Sequence, residues 1–284
     1  MGNSLRAFIT IVNAPLATIN PAKISSNRIN NVGDALEGFI KDVYAGTLDP
    51  AIPNPTKDQI YGKTFSWLGN SSHPPDCMIR GGDAIEVKKI SNLTSSIALN
   101  SSHPKNKLHS DDPRVASGAK VAESWAEKDL VYAIGSTANN ELKRLWLIYG
   151  DCFAASREVY ERVVDPISRA SRAVYTELGF DLEIATNEIA KFNKVDPLGI
   201  TDLRVRGMWS IKNPSVVFAD HVHATPQRQY YLLMREEKYQ SFTEQDRYEM
   251  EAVSKTGFSI KKISIRNPDN PAQMIQARLI SYEI

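Results

Sequence analysis

The paired glycines Gly81-Gly82 constrain this chain more than any other feature. They interrupt "PPDCMIRGGDAIEVKKI", residues 74–90, between two runs of alternating character. Glycine reaches positive φ at no steric cost, so two in succession between such runs specify a tight reversal and a hairpin. The length of the reversal decides which side chains share a face, because opposed residues of an antiparallel pair point to the same side. A two-residue loop at Gly81-Gly82 sets Asp76 against Val87 and sends Asp76 to the face opposite Glu86 and Lys88. A three-residue loop of Gly81, Gly82 and Asp83 sets Asp76 against Lys88 and gathers Asp76, Glu86 and Lys88 on one face. Directly paired Cβ atoms are then about 5 Å apart. That register also collects Cys77, Ile79, Ile85 and Val87 on the other face, as a core requires. The apolar pattern favours the odd-length loop.

Two carboxylates on one face repel unless a cation lies between them. Oxygen ligands of this kind suit Mg²⁺, which takes one or two protein carboxylates and keeps several waters. Asp76, Glu86 and the backbone carbonyl of Val87 are the candidate metal ligands, with Mg²⁺ the candidate cofactor. Lys88 beside such an ion can orient or deprotonate water and offset charge building on a phosphorane. The bland alternative for any isolated Glu-X-Lys is a solvated strand paired across a sheet. The preceding Pro75-Asp76 and the turn spacing weigh against it.

Composition sets the class. The chain has 284 residues, 42% hydrophobic and 24% charged, which is ordinary for a globular protein able to bury a sizeable core. A net charge of +1 speaks against a uniformly basic nucleic-acid coat, but not against an enzyme with its positive charge in one cleft. Cys77 and Cys152 belong to no Cys/His cluster, which argues against structural zinc and suits a reducing compartment. The opening residues are too polar and proline-broken for a secretory signal, and no apolar run could span a bilayer. The expectation is a cytoplasmic protein with no membrane partner.

The first clear helix lies in "GDALEGFIKDVYAG", where Leu36, Phe39, Ile40 and Val43 recur at helical spacing. Residues 47–62 read as a proline-rich loop, and "ALNSSHPKNKLHSDDPRVASG" as a long surface loop. A helix is expected over 117–127, strands over 130–134 and 142–149, and a helix over 156–178 that Pro166 bends or divides. "DLRVRGMWSI", 214–218, 229–234 and the tail supply further strands. The order implies an α/β fold around a mixed sheet.

Pro-Asp, a short hairpin and then Glu-Val-Lys resembles the Pro-Asp…(Asp/Glu)-X-Lys nuclease superfamily, which includes many type II restriction endonucleases. "NRINNVGDALEGFIKDVYAG", "FSWLGNSSHPPDCMIRGGDAIEVKKI", "ALNSSHPKNKL", "KVDPLGITDLRVRGMWSIKNP" and "NPDNPAQMIQARLISYEI" together resemble the NgoPII-like restriction endonucleases. The resemblance implies a restriction-endonuclease-like core, a central mixed β-sheet flanked by helices. It implies one nuclease domain over 1–284, with DNA-recognition elements inserted near 97–116 and appended over 200–284. It further implies a Mg²⁺-dependent homodimer that cuts both strands of double-stranded DNA at the palindrome GGCC, leaving 5′-phosphate and 3′-hydroxyl ends. Asp76, Glu86 and Lys88 would be its catalytic residues, and a cognate DNA methyltransferase would accompany it genetically rather than as a stable complex. The alternatives are a structure-specific repair or recombination nuclease and a non-catalytic DNA-binding protein. The intact Asp76, Glu86 and Lys88 argue against the latter.

Supporting positions carry a functional and a structural reading each. Glu37 is a catalytic candidate beside the metal, or the partner of Lys41 at i,i+4. Asn27 and Arg28 contact phosphate, or cap and cover a helix start. Arg204 and Arg206, two apart on a strand, read guanine in the major groove, or form a salt-bridged wet face with Asp202. Asn100, Ser101, Ser102, His103, Lys105 and Lys107 offer a loop of phosphate contacts. His103 has no evident acid partner and reads as a contact or turn residue, not a general base.

Overall fold

The computed structural model describes residues 2–14, 28–70, 73–90, 92–138, 141–178, 190–223, 225 and 227–284. In chain order the first elements are α1 (Ser4–Asn13), α2 (Arg28–Ala45), α3 (Asn54–Thr64), β1 (Phe65–Trp67), β2 (Cys77–Ile79) and β3 (Ala84–Ile90). Next come β4 (Ile97–Asn100), β5 (Lys107–His109), α4 (Ser117–Val121) and the long pair β6 (Glu127–Ala138) and β7 (Glu141–Tyr149). α5 (Arg157–Leu178) precedes β8 (Ala190–Phe192), β9 (Leu203–Val205), β10 (Trp209–Ile211) and α6 (Pro214–Val217). The chain closes with β11 (Gln229–Arg235), α7 (Glu236–Ser241), α8 (Glu244–Glu251), β12 (Phe258–Arg266) and β13 (Met274–Glu283).

Among the described residues, nine strands make one sheet in the order β1-β2-β3-β6-β7-β11-β13-β12, with β5 on β6. β3 runs parallel to β6 and β7 parallel to β11, while the other pairs are antiparallel. The fold is therefore mixed α/β, as expected. Each face of the sheet has its own core. On one, Leu5, Phe8 and Ile11 of α1 and Leu36 and Ile40 of α2 pack with Ile85, Val131 and Leu147. On the other, Met78, Ala84, Leu130, Tyr132 and Trp146 pack with Ile97, Leu99 and Phe218. Burying an aliphatic side chain of this kind stabilises by about 1.5–3 kcal/mol. The alternation along β3 divides Ile85 and Val87 from Ala84, Glu86 and Lys88, so the charged face of the hairpin shares a side with the second core.

Several segments depart from the sequence reading. Residues 54–64 form α3 rather than loop. It buries no side chain, so no apolar period marks it, and its prolines sit at the start of the helix, where proline is tolerated. Residues 214–217 are helical rather than extended, because Asn213 caps them by accepting from the Ser215 N–H at 2.9 Å. α1 was not anticipated, and the expected helix at 117–127 is only Ser117–Val121. α5 continues through Pro166 as one helix. β4 pairs with β10, which brings together parts of the two segments near 97–116 and 200–284. β11, β12 and β13, also within 200–284, lie in the central sheet. No helix among the described residues is long and apolar enough to cross a membrane, and both cysteines are free and buried.

Candidate active site

Asp76 stands just before β2, and its backbone is tied on several sides. Its N–H donates to the Ile85 carbonyl at 3.0 Å, the Ala116 N–H donates to the Pro74 carbonyl at 2.9 Å, and Trp67 Nε1 donates to the Pro75 carbonyl at 3.1 Å. Gly69, at φ +88°, approaches so closely that a Cβ there would lie 2.3 Å from the Asp76 carbonyl oxygen.

The reversal itself comprises Arg80, Gly81 and Gly82. The Ile79 N–H donates to the Asp83 carbonyl at 2.9 Å and Gly82 N–H to the Ile79 carbonyl at 3.0 Å, with Gly81 at φ +64°. The loop is odd in length, as the apolar pattern favours, but sits one residue earlier than Gly81-Gly82-Asp83. Cys77 pairs with Ile85 and Met78 with Ala84, which is not the pairing a Gly81-Gly82-Asp83 loop gives, and the Asp76 N–H also donates to the Ile85 carbonyl. The cause is Asp83. Its carboxylate accepts from Lys238 Nζ at 2.7 Å and from the Tyr149 hydroxyl at 2.6 Å, which holds it in the ladder and out of the loop. Parity is unchanged, so Asp76, Glu86 and Lys88 share a face and line one cleft of about 210 Å³.

The electrostatics of this cleft are unbalanced. Asp76 Oδ2 accepts from the Val87 N–H at 2.6 Å, yet burial, and then the Glu86 charge, push the Asp76 carboxyl up to about 7. Lys88 Nζ lies 2.6 Å from Glu86 Oε1. Burial works to lower the Lys88 pKa, but Glu86, Asp76 and Glu37 outweigh it and raise it, so without metal Lys88 stays a cationic donor rather than a base. Glu86 Oε2 is buried with no hydrogen-bond partner. In a strand a residue's N–H and C=O point to the same edge, so Val87, with its N–H turned to Asp76, directs its carbonyl there too. Among the described residues no three His, Cys, Asp or Glu side chains gather into a metal cluster. Two carboxylates with an orphaned oxygen, plus a carbonyl, nevertheless fit a hard divalent cation that retains much of its water.

The other candidate residues are distributed unevenly. Glu37 pairs with Lys41 at 2.5 Å, as the i,i+4 reading expects, and its charge adds to those that raise the Asp76 carboxyl. Asn100, Ser101, Ser102, His103 and Lys105 line the cleft. Lys105 is buried in an ion pair with Asp112, and Lys107 pairs with Glu127 at 2.5 Å. Neither lysine is held ready for phosphate. His103 Nδ1 lies 2.8 Å from the Pro104 carbonyl, which only accepts, so Nδ1 carries the proton and Nε2 does not. Burial, and then the Lys105 charge, lower its pKa to about 4. A neutral ring with its N–H spent cannot donate to phosphate. Stacked on Tyr160 at 5.1 Å, it is a wall of the cleft. Arg204 and Arg206 are exposed, in and just after β9, on a two-stranded ribbon with β8 apart from the cleft. Asn27 lies outside the described residues, and Arg28 is described only as the first residue of α2. Sequence reasoning missed Arg114 and Tyr132 in the cleft lining. Tyr132 was legible as a residue of an expected strand, and Arg114 sat in a loop with no signal.

The NgoPII restriction endonuclease family model matches residues 2–266. The type II restriction enzyme NgoPII of Neisseria gonorrhoeae is 38% identical over 285 residues, spanning 99% of this chain and 100% of that relative. No solved structure matches. With the match running over nearly the whole chain, the protein belongs to the NgoPII restriction endonuclease family and is a type II restriction endonuclease.

Proposed function

We propose that this enzyme hydrolyses phosphodiester bonds of double-stranded DNA at GGCC with Mg²⁺ held by Asp76, Glu86 and the Val87 carbonyl. The observation that carries the metal site is the orphaned Glu86 Oε2 beside an Asp76 carboxyl raised to about 7. When bound, the ion supplies positive charge against the phosphate and acidifies water. Asp76 and Glu86, fixed by the hairpin, orient that charge. Lys88, a cation on the same face, donates to the incoming water or to a phosphate oxygen as negative charge grows there. Water enters opposite the 3′-oxygen, the P–O3′ bond breaks and the 3′-oxygen takes a proton, leaving 5′-phosphate and 3′-hydroxyl ends.

The site GGCC rests on the likeness to the NgoPII family. A palindrome asks for two-fold symmetry, so the acting species is a homodimer in the cytoplasm. Each chain is one nuclease domain over 1–284, with recognition drawn from 97–116 and 200–284. Arg204 and Arg206 suit the O6 and N7 atoms of guanine. A companion methyltransferase gene shields the host's own sites. The test is digestion of a plasmid with Mg²⁺. A discrete ladder whose sequenced termini all fall in GGCC, abolished by EDTA, supports this reading. A random smear favours structure-specific cutting, and binding without cutting removes the catalytic assignment.

A further inference from the structure

We propose that Arg114 grips a DNA phosphate at or next to the bond that is cut. This inference rests on the nuclease reading above. The cleft is lined by three cationic side chains: Lys88, Lys105 and Arg114. Lys88 is held by Glu86 at 2.6 Å and Lys105 by Asp112. Among the described residues the Arg114 side chain has no hydrogen bond and no carboxylate within ion-pair distance, and its Nε is buried without a partner.

Its neighbour cannot serve it. The Asp112 carboxylate already accepts from Lys105 Nζ and, at 2.8 Å, from the Arg114 backbone N–H. That turn is fixed further by Val115 N–H donating to the Asp112 carbonyl at 3.1 Å, and Ala116 N–H binds the Pro74 carbonyl two residues before Asp76. The guanidinium is thus anchored to the same backbone that positions the candidate metal ligand. A guanidinium stays charged at any working pH, and its planar fork matches two oxygens of one phosphate. A buried donor with no acceptor is tolerated where a ligand brings one. Guanine could bring acceptors as well. Arg114, however, shares its cleft with Asp76 and Glu86, where the phosphate rather than a base edge must lie.

The test uses wild type, Arg114→Ala and Arg114→Lys, each checked for an unchanged melting curve, against a GGCC duplex. Phosphates around the cut are replaced one at a time by neutral methylphosphonate, and binding is read in EDTA, where nothing is cut. Arg114→Ala should lower kcat/KM by about 10²-fold or more, with Arg114→Lys between. At one position the methylphosphonate should weaken wild-type binding about tenfold and leave Arg114→Ala binding nearly unchanged. Equal cleavage by all three proteins overturns the proposal. So does methylphosphonate loss that is the same in both proteins at every position, which would assign Arg114 to base reading or to structure. A wild type that cuts nothing fails the nuclease reading itself, and this inference falls with it.

Discussion

One hairpin carries acids at both ends, Asp83 buried and Asp76 and Glu86 half-buried, and the protein treats them in opposite ways. At the turn, Asp83 is matched by Lys238 at 2.7 Å and Tyr149 at 2.6 Å, and Lys238 reaches Asp129 at 2.7 Å as well. At the open end, Asp76 and Glu86 share a cleft with one lysine, Lys88, which is held by Glu86, and Glu86 Oε2 has no partner. A buried carboxylate that serves the fold is given donors, as Asp83 is. In the reading proposed above, the oxygen that Glu86 leaves short of a donor inside the cleft is kept for a cation. On that reading the same strand pair supplies a structural acid and a functional pair, and the difference between them lies in how far each is supplied with donors.

The contrast breaks most visibly in cleavage. Asp76→Asn, Glu86→Gln and Lys88→Ala should each lower kcat by about 10³-fold or more while leaving the fold intact. Asp83→Asn should lower the melting temperature yet leave cleavage per folded molecule within a few-fold. Equal losses of activity at both ends would erase the distinction.

Stability should move the other way. Lys238→Met leaves Asp83 and Asp129 without their shared cation and should cost about 3 kcal/mol in urea denaturation at neutral pH. Asp76→Asn should instead stabilise the metal-free protein. Its carboxyl rises from 3.8 to about 7 on folding, through burial first and the Glu86 charge second. An acid whose folded value lies above its unfolded one costs stability progressively as pH climbs between the two, and fully above the higher. The variant should therefore match wild type below about pH 4 and exceed it by up to about 4 kcal/mol near pH 8 in EDTA. Melting curves across that range decide it, and a gain at acid pH instead would reverse the argument.

The smallest effect belongs to Glu37. Its charge helps hold the Asp76 carboxyl up, while its own carboxylate is engaged by Lys41. Glu37→Gln should change maximal cleavage by less than about tenfold and shift the acid limb of the pH–rate profile to lower pH. An unshifted limb would make the residue purely structural.

Much of this was legible in the sequence, for reasons that differ by region. The hairpin's facing followed from two glycines and an apolar alternation, because side-chain parity survives a one-residue displacement of the loop. The displacement was not legible, since it is set by Lys238, distant in sequence from Asp83. α2 showed its helical period, whereas α3 has no apolar face to show. α1 carries a signal too, with Asn3 as cap and Leu5, Phe8, Ile11 and Val12 at helical spacing, although polar residues and prolines follow closely and blur it. The lysines of the 100–107 loop looked available for DNA because their partners, Asp112 and Glu127, are brought in by the tertiary fold.

The most direct test of the unsatisfied pair is calorimetric titration of Mn²⁺, as a stand-in for Mg²⁺, into wild type and Glu86→Gln near pH 7. The account predicts saturable binding to wild type with uptake of about half a proton per ion by the buffer, released from Asp76, and no such heat in the variant. Binding of equal strength to both proteins, with no proton released, would contradict it.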